Sequence, residues 1–241
     1  MDVTAADSAL GSYADYESWW DREAKPLYER WLGLPFFADL RAGRLTEDRL
    51  KAWLGNWYNH VQETDMHRAL LWSRHHYILG RYPDLEEIVT ERAGKSLNYP
   101  YPGGHVRGLL LLGRALGMSH EQLLASRPGP YTGHMTSFLK SVYLEGTLAE
   151  FAAQLMGEEY LLDFCKIFQD ALGKPPFGLK GDALDYFTHW QGCWLTSHGS
   201  PGRFLLRSLF DRGLVEERPN FGIRHVGKRY AEYLIRVYEG F

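Results

Sequence analysis

The sequence predicts an all-α protein, a single compact bundle of about seven or more helices spanning residues 1–241. Apolar residues recur at intervals of three and four along most of the chain, which is the period of an α-helix. Pro and Gly group into short segments between these stretches, and no alternating runs joined by hairpin turns occur. No fixed repeat or flexible linker divides the chain. We therefore expect one domain, with residues 1–12 as a disordered tail.

The composition narrows the class of protein. Hydrophobic residues make up 45% of the chain and the formal net charge is -3, which favours a sizeable core and excludes a strongly basic surface for nucleic acid or anionic membranes. The two cysteines, Cys165 and Cys193, have no motif spacing, so a reducing cytoplasm is expected. Met1 to Gly11 lacks the pattern of a signal peptide, and no apolar stretch is long enough to span a membrane.

The N-terminal third predicts helices separated by proline. Aromatic residues recur at helical spacing from Tyr16 to Trp31, before Pro35 interrupts the run. Thr46 is a good N-cap, and a long helix is expected from it towards Trp72. Gly80 and Pro83 mark the end of this region.

The middle of the chain predicts several shorter helices. One is expected from about Asp84 to Leu97, and a loop from Asn98 to Gly104 separates it from another over His105 to Leu116. Ser119 and Gln122 have the spacing of a capping box, which indicates the start of a further short helix.

The C-terminal half predicts longer helices. Two are expected over His134–Glu145 and Thr147–Leu172, and Thr147 with Glu150 forms a capping box for the second. Asp182 is expected to cap a helix that reaches about His198. Two final helices carry apolar faces that fit either the core or a dimer interface.

The second long helix carries a first candidate cluster. His60, Glu63 and His67 fall on one helix face, where neighbours at i+3 or i+4 can bind one metal ion. His60 and His67 lie roughly 10 Å apart along the axis, so both could bind only to different metals. The alternative interpretation is a polar face with a buried histidine held by hydrogen bonds.

Three further regions contain candidate histidine or carboxylate side chains. Glu158 follows an apolar stretch, so it is either a ligand facing the core or part of a solvated pair with Glu159. His189 and His198 are nine residues apart and point in opposite directions unless the helix is irregular. His105 follows a Gly-Gly loop and is either a site residue or an exposed cap. Imidazole and carboxylate ligands suit iron, manganese or zinc.

Three stretches in order carry a family resemblance. They are the segment from Leu34 to Leu50 followed by Trp57-Tyr-Asn-His-Val61, the segment Gly103-Gly-His-Val-Arg-Gly-Leu to Gly117, and Asp182-Ala-Leu-Asp-Tyr-Phe187. Together they resemble the TenA/PqqC group of haem-oxygenase-like proteins. The resemblance implies the haem-oxygenase-like helical fold for the whole chain.

The resemblance implies three chemistries for the group, namely cofactor-free oxidation, thiaminase-type hydrolysis and O2 activation by a dinuclear metal site. The quinone-synthase pattern has histidine where this chain has Lys95, and an arginine-rich segment where it reads Thr188-His-Trp-Gln191. The hydrolase pattern has a nucleophilic cysteine in the region that here reads Gln154 to Glu158. These departures argue against both reactions.

The dimetal-oxidase pattern matches this chain in part. His105, Glu158 and His198 stand at positions of its ligands, whereas Asn98, Gln191 and Leu195 replace three others. The resemblance thus implies a nonstandard site for iron or manganese. With a complete ligand set the site would hold two metal ions. The predicted metal ligands are Glu63, His67, His105, Glu158, His189 and His198. The predicted catalytic residues are Glu63, Glu158 and His189.

These observations favour an O2-dependent oxidoreductase acting on a small organic substrate, an amino acid or a biosynthetic intermediate. Its metal form uses the ligands above, and its cofactor-free form uses one histidine as a general base. The residues predicted to wall the substrate pocket, each also compatible with plain core packing, are Trp57, Tyr58, Tyr186 and Trp190. The alternatives are a hydrolase or lyase with Glu158 or Glu159 as base, and a non-catalytic binding or regulatory protein. A homodimer is expected from the resemblance.

Overall fold

Helices account for most of the chain in the computed structural model, which describes residues 10–98, 102–194, 199–216 and 221–241. The first four helices are α1 (Tyr13–Trp19), α2 (Lys25–Leu32), α3 (Pro35–Arg41) and α4 (Glu47–Arg74). A π-helical turn over Trp20–Ala24 joins α1 to α2. The Thr46 side chain accepts a hydrogen bond from the Arg49 N–H, which confirms the predicted start of the long helix. The predicted tail falls mostly on residues 1–9, outside the described residues.

The middle of the chain confirms the predicted order of elements. Its helices are α5 (His76–Leu79), α6 (Pro83–Asn98), α7 (Gly104–Ala115), α8 (His120–Ala125) and α9 (Pro130–Glu145). Both hydrogen bonds of the Ser119/Gln122 capping box form. Helix α9 begins four residues before its predicted start, because Pro130 supplies a favourable first residue.

The helix predicted over Thr147–Leu172 is two helices, α10 (Leu148–Glu158) and α11 (Tyr160–Leu172). The pattern of backbone hydrogen bonds changes at Glu159. Its N–H donates to the Met156 carbonyl, and its own carbonyl accepts from the Leu162 N–H. These three-residue hydrogen bonds replace the four-residue α-helical pattern and interrupt the helix. The predicted Thr147/Glu150 capping box is confirmed.

The C-terminal elements are α12 (Asp185–Trp194), preceded by a 3-10 turn over Gly181–Leu184, then α13 (Pro201–Asp211) and α14 (Ile223–Glu239). The predicted extension of α12 to His198 falls on residues 195–198, outside the described residues. The apolar faces of α13 and α14 pack into the core of the single chain, as the full burial of Leu205, Leu209 and Leu234 shows. The expected homodimer stays a prediction and gains no support from these faces.

The long helix α4 and the C-terminal helix α14 organise the packing. Helix α4 contacts α6, α7, α8 and α9, and α14 contacts α2, α9 and α10. Helix α11 lies against α3 and α12, and α13 packs on α10. The described residues form no β-strand, which confirms the all-α prediction. Every described helix is too short or too polar to cross a lipid bilayer.

Most of the core is apolar and aromatic, with Trp20, Trp31 and Trp53 fully buried. The inner face of α4 differs, because one of its turns buries a set of polar side chains: His60, Thr64, Asp65 and Arg68. Buried polar and charged groups are costly unless they are paired, so this turn is a candidate for the functional site.

Candidate functional site

A small buried cavity lies beside the polar turn of α4, between helices α4, α7, α9, α10, α11, α12 and α14. Its volume is about 20 Å³, which is room for a single water molecule. Among its lining side chains, His60, Asp65, Arg68, His105 and Glu158 are all buried. One small space therefore collects two histidines, two carboxylates and a guanidinium.

The centre of the charged wall is Glu158. Its two carboxylate oxygens accept hydrogen bonds from different arginines, Arg68 to Oε1 and Arg92 to Oε2 at 2.9 Å. The Gln154 amide also donates to Oε1, at 2.8 Å. Arg68 donates further to Ser96 Oγ at 3.0 Å. The network ties α4, α6 and α10 together.

Charge pairing determines the protonation of this network. Burial acts to raise the pKa of Glu158, but Arg68 and Arg92 outweigh it and hold the pKa below its usual range. Burial acts to lower the pKa of Arg68, but the Glu158 and Asp65 carboxylates raise it well above its usual range. Glu158 is therefore an ionised carboxylate between two guanidinium groups.

His60 is held as a neutral imidazole of defined tautomer. Its Nδ1 lies 2.9 Å from Thr136 Oγ1, and the Thr136 hydroxyl donates to the Thr132 carbonyl at 2.8 Å. Since that hydroxyl has one proton and has given it away, it can only accept from His60 Nδ1–H. Nε2 then carries the lone pair, and the described residues provide it with no hydrogen-bond partner. Burial lowers the pKa of His60 to about 4.

The second histidine has an acidic partner. His105 Nδ1 lies 3.2 Å from Asp65 Oδ2, and both side chains are buried. Burial acts to raise the pKa of Asp65, but His105 and Arg68 lower it below its usual range. An ionised carboxylate can only accept a hydrogen bond, so His105 Nδ1 carries a hydrogen and donates it to Asp65. The Trp190 ring stacks on His105 with a centroid separation of 4.9 Å.

Aromatic residues complete the wall, and three of the four predicted pocket residues are among them. Trp57, Tyr186 and Trp190 line the cavity, and Trp57 Nε1 donates to the Tyr186 hydroxyl at 2.7 Å. Tyr58 does not line the cavity, because it points from the other side of α4 to His120 Nε2 at 3.1 Å. Tyr230 of α14 lines the cavity although no sequence pattern distinguishes it from its apolar neighbours.

Five of the six predicted metal ligands lie among the described residues, and these five do not come together. Glu63 is exposed and pairs with Lys140 at 2.9 Å, and His67 Nδ1 donates to the Glu63 backbone carbonyl. Neither side chain lines the cavity, and their role as metal ligands stays a prediction. They lie on the outer face of α4, opposite the buried turn. Within the described residues no group of three histidine, cysteine or carboxylate side chains is placed to hold a metal ion.

The remaining predicted ligands have other environments. Glu158 is paired with two arginines, whose positive charges oppose a metal cation at the same oxygens. His105 is in the cavity wall, whereas His189 on α12 is only partly buried and does not line it. His198 lies outside the described residues. The donor set that the described residues bring to the cavity therefore does not fit the iron or manganese site implied by the resemblance.

The arginines and Asp65 are the site residues that sequence reasoning missed. Arg68 follows Asp65 by three positions, and both lie on the same helix face as His60 and Thr64. That clustering was a usable signal. Arg92 offered none, because it sits on a helix whose other charged residues are at least partly exposed.

Comparison with known proteins agrees with this architecture. The model of the TENA/THI-4/PQQC family matches residues 22–166. No curated protein matches the chain in sequence. A crystal structure of a TenA homologue from Pseudomonas syringae pv. tomato is similar with a TM-score of 0.66 and 13% identity, covering 99% of this chain and 98% of that one.

A second solved structure is similar in the same way. The TenA homologue protein from P. horikoshii OT3 has a TM-score of 0.57 and 15% identity, and the alignment covers 92% of this chain and 96% of that one. At such low identity these two structures support the fold alone. The family match spans more than half of the sequence, and the chain therefore belongs to the TENA/THI-4/PQQC family.

Proposed function

We propose that this protein is an enzyme that oxidises a small organic substrate with O2, without a bound metal, and that His60 is its general base. The observation that carries the proposal is the lone pair on His60 Nε2 in a buried cavity. A general base needs a vacant acceptor atom and a neutral form at the working pH. His60 has both, because Thr136 fixes the tautomer and burial keeps the ring neutral above about pH 4.

The reaction balances as a two-electron oxidation. His60 Nε2 takes a proton from an acidic C–H or O–H of the substrate and leaves an anion. The anion transfers two electrons to O2 and loses its second proton, while the reduced oxygen takes up two protons and leaves as hydrogen peroxide. The net change is loss of two hydrogens from the substrate and reduction of one O2 to one H2O2.

The charged wall supports this chemistry. Both the substrate anion and reduced oxygen species are negative, and fixed positive groups in a water-poor cavity stabilise such charge strongly. Arg68 and His105 line the same cavity as His60, and His105 beside Asp65 can return a proton to oxygen. The donor set also favours metal-free chemistry, since Glu158 is already bound by two arginines.

The hydrolase alternative has less support. Thiol-based hydrolysis needs a nucleophilic cysteine at the site. Cys165 is fully buried on α11 and does not line the cavity, and the side chain of Cys193 is outside the described residues. Glu159, the other proposed base, points away from the cavity and pairs with Arg203.

The test is a turnover screen with paired oxygen and product detection. Purified protein is incubated with small amino acids, hydroxy acids and heteroaromatic acids, in air and under nitrogen, with O2 consumption and H2O2 measured together. We expect one substrate class to consume O2 with equimolar H2O2, unaffected by chelator, and His60→Gln to abolish the turnover. His67→Gln on the outer face of α4 is the matched control. Turnover that continues under nitrogen would overturn the oxidase proposal.

A further inference from the structure

We infer that the substrate carries a carboxylate, which binds in the cavity between the Arg68 guanidinium and the Tyr230 hydroxyl, beside His60. This inference rests on the proposed function, because it takes the cavity to be the substrate site. It adds the chemical class of the substrate and assigns the groups that recognise it.

The first evidence is a pair of unused donors. Arg68 Nε is buried and has no hydrogen-bond partner among the described residues. The Tyr230 hydroxyl makes no hydrogen bond to any described residue, although the side chain is 2% exposed and lines the cavity. Buried polar groups are nearly always paired, so two unused donors at one cavity indicate a ligand that accepts hydrogen bonds.

The second evidence is the charge of the wall. The Arg68 guanidinium lines the cavity. A fixed positive charge attracts an anionic group more strongly in a buried place than in water. A carboxylate on the ligand suits this wall.

The third evidence is the chemistry of the neighbours. Burial and the nearby Glu158 carboxylate raise the pKa of Tyr230 well above its usual range, so its hydroxyl stays a donor. Planar carboxylates match the N–H groups of a guanidinium well. His60 accepts a proton and does not compete for the anion, because its Nε2 carries the lone pair. The arrangement separates recognition of the anion from removal of a proton.

The experiment measures binding of probes without turnover. Propionate and benzoate are titrated against propionamide and benzamide under nitrogen, with the fluorescence of the wall tryptophans as the readout. We expect each carboxylate to bind at least about tenfold more tightly than its amide, which is the worth of one hydrogen bond to a charged group. Tyr230→Phe should remove most of this preference.

Matched variants separate the site from the fold. Tyr238→Phe removes a buried hydroxyl from the same helix, one that accepts from Trp53 rather than lining the cavity, and should leave the preference intact. Arg68→Lys keeps the charge but removes Nε, and should weaken carboxylate binding. If Arg68→Lys does not fold, the two tyrosine variants decide the matter.

The outcomes distinguish this inference from the proposed function. Equal binding of carboxylate and amide, no binding of either, or a preference unchanged by Tyr230→Phe would overturn the inference. Each of these leaves O2-dependent turnover by His60 to stand on its own assay. If carboxylates bind but no substrate in the screen consumes O2, the carboxylate site stands and the proposed oxidase activity is overturned.

Discussion

The Thr136 hydroxyl lies 2.9 Å from His60 Nδ1 and donates its only proton to the Thr132 carbonyl. Two short contacts thus decide which nitrogen of His60 carries the proton. The consequence is a base whose lone pair is presented to the cavity before any substrate arrives.

Replacing Thr136 with a side chain of similar shape should alter the tautomer of His60 without leaving a cavity in the core. Thr136→Val has nearly the same shape but cannot accept from His60, so the imidazole loses its fixed tautomer. We expect turnover to fall about 10- to 100-fold, which is less than the roughly 100- to 10,000-fold contributed by an acid–base group, because His60 itself remains. Nitrogen-15 NMR of the histidine side chains should show a mixture of tautomers. Thr136→Ser, which keeps the hydroxyl, should retain both the rate and the single tautomer.

Acid should act on His60 in two ways. Its folded-state pKa is about 4, below the ordinary 6.5, so the folded protein resists protonation. The free energy of unfolding should therefore be at its full value above pH 6.5 and decline towards pH 4, by about 3 kcal/mol from this group. The activity of the folded protein should persist below pH 6.5, where the stability already declines. It should fall only through about pH 4, where His60 itself becomes protonated.

His60→Gln provides the control for the pH effect. Urea unfolding at pH 7, 5.5 and 4 should show a shallower decline in this variant than in the wild type. A decline equal to that of the wild type would mean that His60 is not neutral in the folded protein.

Glu158 and Glu159 are neighbours in sequence with opposite environments. Glu158→Gln leaves two buried guanidinium groups without their counter-charge, and we expect a loss of about 3–5 kcal/mol in the free energy of unfolding. Glu159→Gln breaks a partly exposed pair with Arg203 and should cost under about 1 kcal/mol. Urea denaturation of both variants makes the comparison. Comparable costs would contradict the paired, buried environment of Glu158.

The outer face of α4 should be dispensable for activity. Glu63→Ala and His67→Ala remove side chains that contact Lys140 and the α4 backbone rather than the cavity. We expect turnover within about twofold of the wild type and no change in bound iron or manganese. Loss of a stoichiometric metal from either variant would restore the metal hypothesis.

Two helical glycines should respond to alanine in opposite ways. At Gly157 an added Cβ would overlap the Tyr28 hydroxyl oxygen, so Gly157→Ala should destabilise the protein by about 1–3 kcal/mol through overpacking. At Gly94, inside α6, the position that a Cβ would take has no neighbour within 4 Å outside the helix's own backbone. Gly94→Ala should stabilise by about 0.5–1 kcal/mol, since alanine favours a helix over glycine. Thermal unfolding of both variants tests the pair.

The fold was predictable where its signals were local. The N-cap at Thr46 and the capping boxes at Ser119 and Thr147 lie within three residues of their partners, and all three form. The division of the predicted helix at Glu159 was not predictable. It accompanies the close approach of Tyr28 to Gly157, a contact between residues 129 positions apart in the chain.

The sequence predicts many of the residues that line the site, but not which of them pair with one another. The sequence predicts five of the residues that line the cavity, namely His105, Glu158, Trp57, Tyr186 and Trp190. The role given to Glu158 did not fit, because its partners Arg68 and Arg92 are 90 and 66 residues away in sequence. A carboxylate near an apolar stretch has the same sequence pattern whether a metal or a guanidinium neutralises it. Only the folded chain distinguishes the two.

The cavity of about 20 Å³ has a kinetic consequence. The described part of its wall comes from helices spread between residues 57 and 230. A molecule larger than water can reach His60 only during a fluctuation that parts these helices, and the frequency of that opening limits the rate of association. Observed binding rates should then level off as ligand concentration rises, and the plateau should reflect the motion of the protein rather than the chemistry of the ligand.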